Sequence, residues 1–287
     1  MGFLFPSFDK PGKGIDPDAP QKRAFFRFFD IFFRKFWHFV RANLLYSLAL
    51  IPAFVIIFYG SMLILVQLFS KVAAQIAPSD MSTVMIVCSL VVTNLYIALW
   101  GAGPATAGMT YIMRNFSREE HAFIWGDFKD TFKANFKQSL AVFVIDIVVV
   151  LLSWAAITVY SGVGGPMGAM RYVVYVFLVI YSMMHFYIYP IMVTFELKLK
   201  DIYKNAMLFT ISKLPSNLFA LLMVVLIHAV LPLCAIWYGG IALVFLLIIV
   251  LEPIIVQAFS LFLVNFNAYP KLKKYMLDVK EEPEEEI

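Results

Sequence analysis

The sequence is short of charge. Asp, Glu, Lys and Arg make up 15% of 287 residues, against 62% hydrophobic ones, whereas soluble domains carry roughly 25% charge. There is too little polar surface to cover a soluble core, which excludes a soluble enzyme and a disordered scaffold. Cysteine is as scarce: Cys88 and Cys234 each lie in an apolar run and offer neither metal-ligand spacing nor a disulfide framework. Catalytic signatures are missing too. The chain has no Gly-x-x-x-x-Gly-Lys-Ser/Thr phosphate loop, no His-Glu-x-x-His, no Gly-x-Ser-x-Gly and no Cys-x-x-Cys. It is therefore read as a non-enzyme, with no catalytic residue, no cofactor and no metal. Lys10-Pro11-Gly12-Lys13-Gly14 resembles a phosphate loop only superficially, since a flanking strand and helix are lacking.

What the chain does have is long uncharged runs. Ala42 to Ser70 and Met81 to Met113 hold no charge, Gln138 to Met170 only Asp146, Tyr172 to Phe195 none, and Leu214 to Ala268 only Glu252. A helix needs about 20 apolar residues to cross a ~30 Å hydrocarbon core. Six spans are predicted: 44–69, 84–113, 140–160, 172–195, 218–237 and 241–266, the last two joined at Tyr238-Gly239-Gly240. Barrel strands would be shorter and alternating. On this topology 21 of the Lys and Arg residues fall on one side and only Lys71 and Arg171 on the other. Positive charge concentrates on the cytoplasmic side, so both termini are expected there, and Asn115-Phe116-Ser117 is not expected to be glycosylated. The same layering assigns the net charge of +4 to anionic headgroups rather than to nucleic acid. The lipid bilayer is the expected partner, and the first span is expected to anchor the chain rather than to be cleaved.

Each pair of spans is preceded by an amphipathic segment. Arg23, Arg27, Asp30, Arg34, His38 and Arg41 recur at helical spacing among Phe25, Phe26, Phe28, Phe29, Phe32, Phe33, Phe36, Trp37 and Phe39. This predicts one helix in the membrane plane, with Arg23, Arg27, Arg34 and Arg41 as its basic stripe. Phe123 to Lys137 and Lys200 to Lys213 repeat the design, and Asn43, Asn135 and Asn217 follow a basic residue in each unit. The expected fold is all-α: a polytopic membrane protein with six transmembrane helices as three hairpins, each preceded by an interfacial amphipathic helix. The units read as 1–22, a Pro- and Gly-rich extended strap; 23–113, 114–195 and 196–268, each helix plus hairpin; and 269–287, an acidic cytoplasmic tail.

A charge at the bilayer centre costs ~2.5–3.5 kcal/mol on insertion scales, so intramembrane polar groups are the candidate site. These are Asp146, Glu252 (just before Pro253), His185, His228 and Asn94. One reading is a proton or solute path in which Glu252 and His228 exchange protons. The other is a set of neutral or paired groups that fix helix register. Gly101-Ala102-Gly103-Pro104-Ala105-Thr106-Ala107-Gly108 interrupts the second span. It is either a kinked packing seam or a broken helix whose freed backbone groups line a site. Glu120 to Gly126 partly resembles the Glu-Ala-Ala-x-x-x-Gly coupling loop of ABC importer permeases, without its continuation.

Pro11-Gly12-Lys13-Gly14, Arg23-Ala24-Phe25-Phe26-Arg27-Phe28-Phe29 and Arg34-Lys35-Phe36-Trp37 resemble the start of YesL-like membrane proteins. Gly103-Pro104-Ala105-Thr106-Ala107, Asp127-Phe128 and Asn135-Phe136-Lys137-Gln138 resemble the core of that family, a domain of unknown function, DUF624. Leu50-Ile51-Pro52 stands where relatives often continue toward a second Pro-rich turn. The resemblance implies a multi-pass protein of the bacterial plasma membrane, mostly Gram-positive, encoded beside carbohydrate ABC importers and glycan-degrading enzymes. It supplies no catalytic residues. The expected function is an accessory subunit of a carbohydrate importer that binds its permease subunits. The alternative is an independent small-solute or proton-linked transporter using Asp146, His228 and Glu252.

Overall fold

The computed structural model of the chain describes residues 23–73 and 78–278. The strap at 1–22 and the end of the acidic tail lie outside the described residues. Among the described residues the protein is helical, with no strands. Six helical segments are long and apolar enough to cross a membrane: Phe36–Leu68, Ser82–Trp100, Phe136–Gly162, Gly165–Met192, Leu214–Cys234 and Ala242–Leu277. Apolar side chains such as Leu48, Leu63, Leu152, Val173 and Phe219 remain exposed along them, as expected of helices whose solvent is lipid.

The amphipathic segments are separate short helices, α1 (Ala24–Arg34), α5 (Ile124–Ala134) and α9 (Leu199–Ser212), each followed by a spanning helix: α2 (Phe36–Ala73), α6 (Phe136–Gly162) and α10 (Leu214–Val225). Their junctions share one geometry. Lys35 (φ −102°, ψ 13°), Asn135 (φ −99°, ψ 9°) and Lys213 (φ −122°, ψ 33°) each stand between the two helices. Each donates its N–H to the carbonyl four residues back, in Ile31, Thr131 and Phe209, and accepts the N–H four residues on, from Phe39, Ser139 and Asn217. The repeat is therefore in the turn. The predicted equivalence of Asn43, Asn135 and Asn217 is corrected: Asn43 lies well beyond its junction residue, Asn135 is the junction residue, and Asn217 lies one turn past it.

The first amphipathic stripe is also corrected. The turn at Lys35 divides it, leaving Arg23, Arg27 and Arg34 at α1 and Arg41 on α2. Nor does α1 give all its aromatics to lipid. Phe28, Ile31 and Phe32 are buried against α12 (Gln257–Leu272), with Phe28 stacked on Phe262 at 4.8 Å and edge-on to Phe259 and Phe266. Arg27 sits over the Phe266 ring. Phe25, Phe26 and Phe33 stay exposed. A membrane bundle does have a core for such a helix to pack on, at its own end.

The second predicted span ends early. Helix α3 (Pro78–Trp100) stops at Gly101, and α4 (Pro104–Ser117) starts anew. All of α4 except Tyr111 is buried, among α2, α5, α6, α12 and α8 (Met170–Met192). Its small residues allow this. At Gly108 a Cβ would lie 2.9 Å from the carbonyl oxygen of Phe128 on α5. The unit boundary drawn between 113 and 114 thus falls inside α4, and the one at 268 falls inside α12. The short helix α7 (Gly165–Gly168) turns α6 into α8, and α11 (Leu231–Phe245) reverses at Gly240 with φ 64°, at the predicted connection.

The sixth span is held by its neighbour. Pro253 has no N–H and crowds the preceding turn; here residues Leu246–Val256 are π-helical. Asn43 on α2 clamps this stretch: its Nδ2 donates to the Glu252 carbonyl at 2.7 Å and its Oδ1 accepts the Ala258 N–H at 2.6 Å. Ser47, one turn on, donates to the Pro253 carbonyl at 3.3 Å. Asn43→Ala should leave two buried backbone groups unpaired, at about 2–4 kcal/mol in all. The apparent melting temperature in detergent should fall by several degrees, whereas Leu44→Ala on the exposed face changes it little.

Candidate functional site

The buried polar residues form two acid–imidazole pairs in different parts of the bundle. In the first, His228 Nδ1 lies 2.8 Å from Glu252 Oε1 and His228 Nε2 lies 2.7 Å from Ser260 Oγ. His228 sits in a π-helical turn, Leu226–Val230, opposite the π-helical stretch that carries Glu252. An imidazole between a carboxyl and a hydroxyl can pass a proton without rotating, because each ring nitrogen already has a partner. Glu252 Oε2 has no protein partner. The residue lines a cavity of about 390 Å³ with Asn94, Gln257 and apolar groups of α2 and α3. Asn94 donates to Leu90 in its own helix, and its carbonyl accepts Gln257 Nε2 at 3.3 Å.

The second pair is Asp146 and His185. Asp146 Oδ1 accepts the Tyr181 hydroxyl at 2.7 Å. His185 Nε2 lies 3.0 Å from the same oxygen without a hydrogen bond between them. Asp146 is 0% and His185 3% exposed, and Asp146 Oδ2 and His185 Nδ1 have no protein partner. Tyr203 of α9 belongs to the same neighbourhood: burial pushes its phenol up to about 12, and the Asp146 charge adds to the rise. Asp146 is thus paired with His185 and Tyr181, while Glu252 and His228 form their own pair, so the three residues of the transporter reading are not one cluster.

The Gly-Pro-Ala-Thr stretch is a broken helix. Gly101 has φ +79° and Gly103 φ +63°. A Cβ at Gly101 would meet the Thr106 side chain at 2.7 Å and the Tyr189 ring at 2.9 Å. Two amides freed by the break find side chains: the Ala102 N–H donates to Thr106 Oγ1 at 2.7 Å and the Gly103 N–H to the Tyr189 hydroxyl at 3.2 Å. Thr106 Oγ1 also bonds the Tyr46 hydroxyl at 2.9 Å. Pro104 and Ala105 open α4 from a fully buried position.

The basic residues serve the ends of the bundle. Arg34 pairs with Glu119 and Lys35 Nζ donates to the Glu120 carbonyl at 2.6 Å, which ties the first junction to the loop after α4. Burial and the Arg34 charge beside it pull Lys35 below the usual lysine range. Arg114, lowered by burial, donates to the Val193 carbonyl and the Thr194 hydroxyl at the C-terminus of α8, where a cation complements the helix dipole. Lys271, placed in the tail by its sequence position, is instead part of α12. Its Nζ bonds Tyr187, Ser216, Asn217 and Asn267.

The family described as "Protein of unknown function, DUF624" matches residues 84–157. Over these residues the chain is similar to the DUF624 family. The DUF624 match runs from α3 through the break, α4 and α5 into α6. It therefore contains Asn94, the Gly103–Thr106 motif and Asp146, while His185, His228 and Glu252 lie beyond it. No curated protein and no solved structure matches the chain.

Sequence reasoning missed Ser260, Tyr181 and Tyr189, which look like ordinary span residues, and the bridging role of Asn43. Tyrosines facing an acid across two helices carry no sequence signature. Breaking the first pair separates its parts. Glu252→Ala leaves the buried His228 Nδ1 without a partner and should cost about 1–3 kcal/mol, seen as a lower melting temperature in detergent. Glu252→Gln keeps an acceptor for His228 and should cost far less.

Proposed function

We propose that this multi-pass membrane protein is an accessory subunit of a bacterial carbohydrate ABC importer. It sits in the plasma membrane with both termini cytoplasmic and binds the permease subunits. The observation that carries this reading is an exposed aromatic surface beside the first junction. Two adjoining hollows, of about 610 and 500 Å³, share His38 and Arg41. Phe33 and Trp37 rim one side, and Phe123 and Trp125 the other, each about two-thirds exposed or more. Trp and Arg are the side chains that most often carry binding energy at protein interfaces. The surface lies on the side that holds most of the Lys and Arg residues, the side on which an importer's coupling loops also lie. The resemblance to YesL-like proteins supports the carbohydrate assignment, and the lack of a phosphate loop in the sequence supports dependence on a partner's ATPase.

Transport by the protein itself is the second reading, favoured by the unpartnered Glu252 Oε2 beside its cavity. Affinity purification from native membranes in mild detergent distinguishes the two. Importer permease subunits and their solute-binding protein should be recovered with the tagged chain, and the double variant Trp37→Ala, Trp125→Ala should lose them without a change in melting temperature. Recovery free of any permease, together with proton-linked uptake in reconstituted vesicles that Glu252→Gln abolishes, would favour transport instead.

A further inference from the structure

The break between α3 and α4 encloses a second feature. A cavity of about 10 Å³, room for a single water-sized particle, lies against Ala98, Leu99, Trp100 and Gly101. Across from them it is lined by Thr110 of α4, His185 of α8 and Asn265 of α12. Those three side chains are 1%, 3% and 0% exposed. Thr110 Oγ1, Asn265 Oδ1 and both His185 ring nitrogens lack a hydrogen-bond partner in the protein. Buried polar atoms are rarely left so.

Their orientation is not the default one. Thr93, Thr158 and Thr210 turn their hydroxyls back to the carbonyl four residues before, at 2.7, 2.9 and 2.8 Å. Thr110, also mid-helix, does not. Asn265 spends its Nδ2 on the Leu261 carbonyl, which directs the amide oxygen elsewhere. The break adds backbone oxygens. In an unbroken helix the carbonyls of Ala98, Leu99 and Trp100 would accept from residues 102, 103 and 104. Here the Ala102 and Gly103 N–H groups go to Thr106 and Tyr189, and Pro104 has none. These carbonyls belong to the C-terminal end of α3, which carries the negative half-charge of the helix dipole.

We propose that this cavity is a sodium site. Its donors are the Thr110 hydroxyl, the Asn265 amide oxygen and freed carbonyls of the α3 end, with His185 closing the shell. Oxygen donors suit a hard cation. Among the described residues no three His, Cys, Asp or Glu side chains cluster as a transition-metal site would need. Neutral donors suit a single charge rather than a double one. The Asp146 carboxyl adjoins the site, its Oδ1 lying 3.0 Å from His185 Nε2. Freed carbonyls at a helix break are a recurrent way of holding an alkali cation inside a membrane protein. The site is independent of the importer reading, because it requires neither a permease nor transport.

The test is the thermal stability and intrinsic fluorescence of the purified full chain in nanodiscs, titrated with NaCl against choline chloride at constant ionic strength. Trp100 lines the cavity and should report binding. Sodium should give a saturable rise in melting temperature and a saturable fluorescence change that choline does not. Thr110→Val and Asn265→Leu remove one oxygen each and should raise the half-saturating sodium concentration by about tenfold or more, the equivalent of roughly 1.4 kcal/mol. Thr110→Ser should restore it. The melting temperature of each variant in choline chloride controls for folding. Identical curves in the two salts for the wild-type chain would mean that the cavity holds water, and would overturn the proposal. A sodium response unchanged in both variants would overturn it as well.

Discussion

A backbone amide or carbonyl without a partner in hydrocarbon costs several kcal/mol, and the whole bundle answers to that constraint. At two places where this chain leaves the α-helix inside the membrane, side chains take over freed backbone groups. Thr106 and Tyr189 receive the amides released at Gly101–Pro104. Asn43 and Ser47 grip the π-helical stretch around Pro253. Each such repair also fixes the register of one helix against the next, so the irregular points are where the tertiary structure is most tightly specified.

The buried helix α4 follows from the same constraint. A continuous second span would have carried its residues into lipid or past the bundle end. Ending α3 at Gly101 allows the chain to restart inside the protein, where Ala105, Ala107 and Gly108 let neighbouring helices close around it. The first junction then anchors to the loop beyond α4 through Arg34 and Lys35, and α1 closes the bundle end with a cluster of phenylalanines on α12. Aromatic packing of this kind supplies area and orientation without adding unpaired polar atoms.

The polar interior divides by chemistry. Glu252, His228 and Ser260 form a chain of three groups, and the imidazole has a partner at each nitrogen. Around Asp146 and His185 several acceptor atoms remain free and converge near the helix break. The first arrangement suits register or proton exchange, and the second suits an occupant.

Much of this was legible in the linear chain. The uncharged runs announced six spans, because a bilayer of fixed thickness demands about 20 apolar residues from each helix. The recurrence of basic and aromatic residues announced three amphipathic helices, because a surface helix must divide its faces. The cost of burying charge singled out Asp146, Glu252 and the two histidines before any contact was known. What the chain could not show is that Asp146 meets His185, whether Gly101–Pro104 bends or breaks the helix, that Asn43 bridges two helices, and that Thr110 and Asn265 matter. Those depend on helix rotation and on distances between residues as much as 215 positions apart, such as Asn43 and Ala258. Composition and periodicity act along one helix at a time and determine what must be hidden from lipid. Only the packed bundle decides which hidden group faces which, since that is a property of pairs of helices.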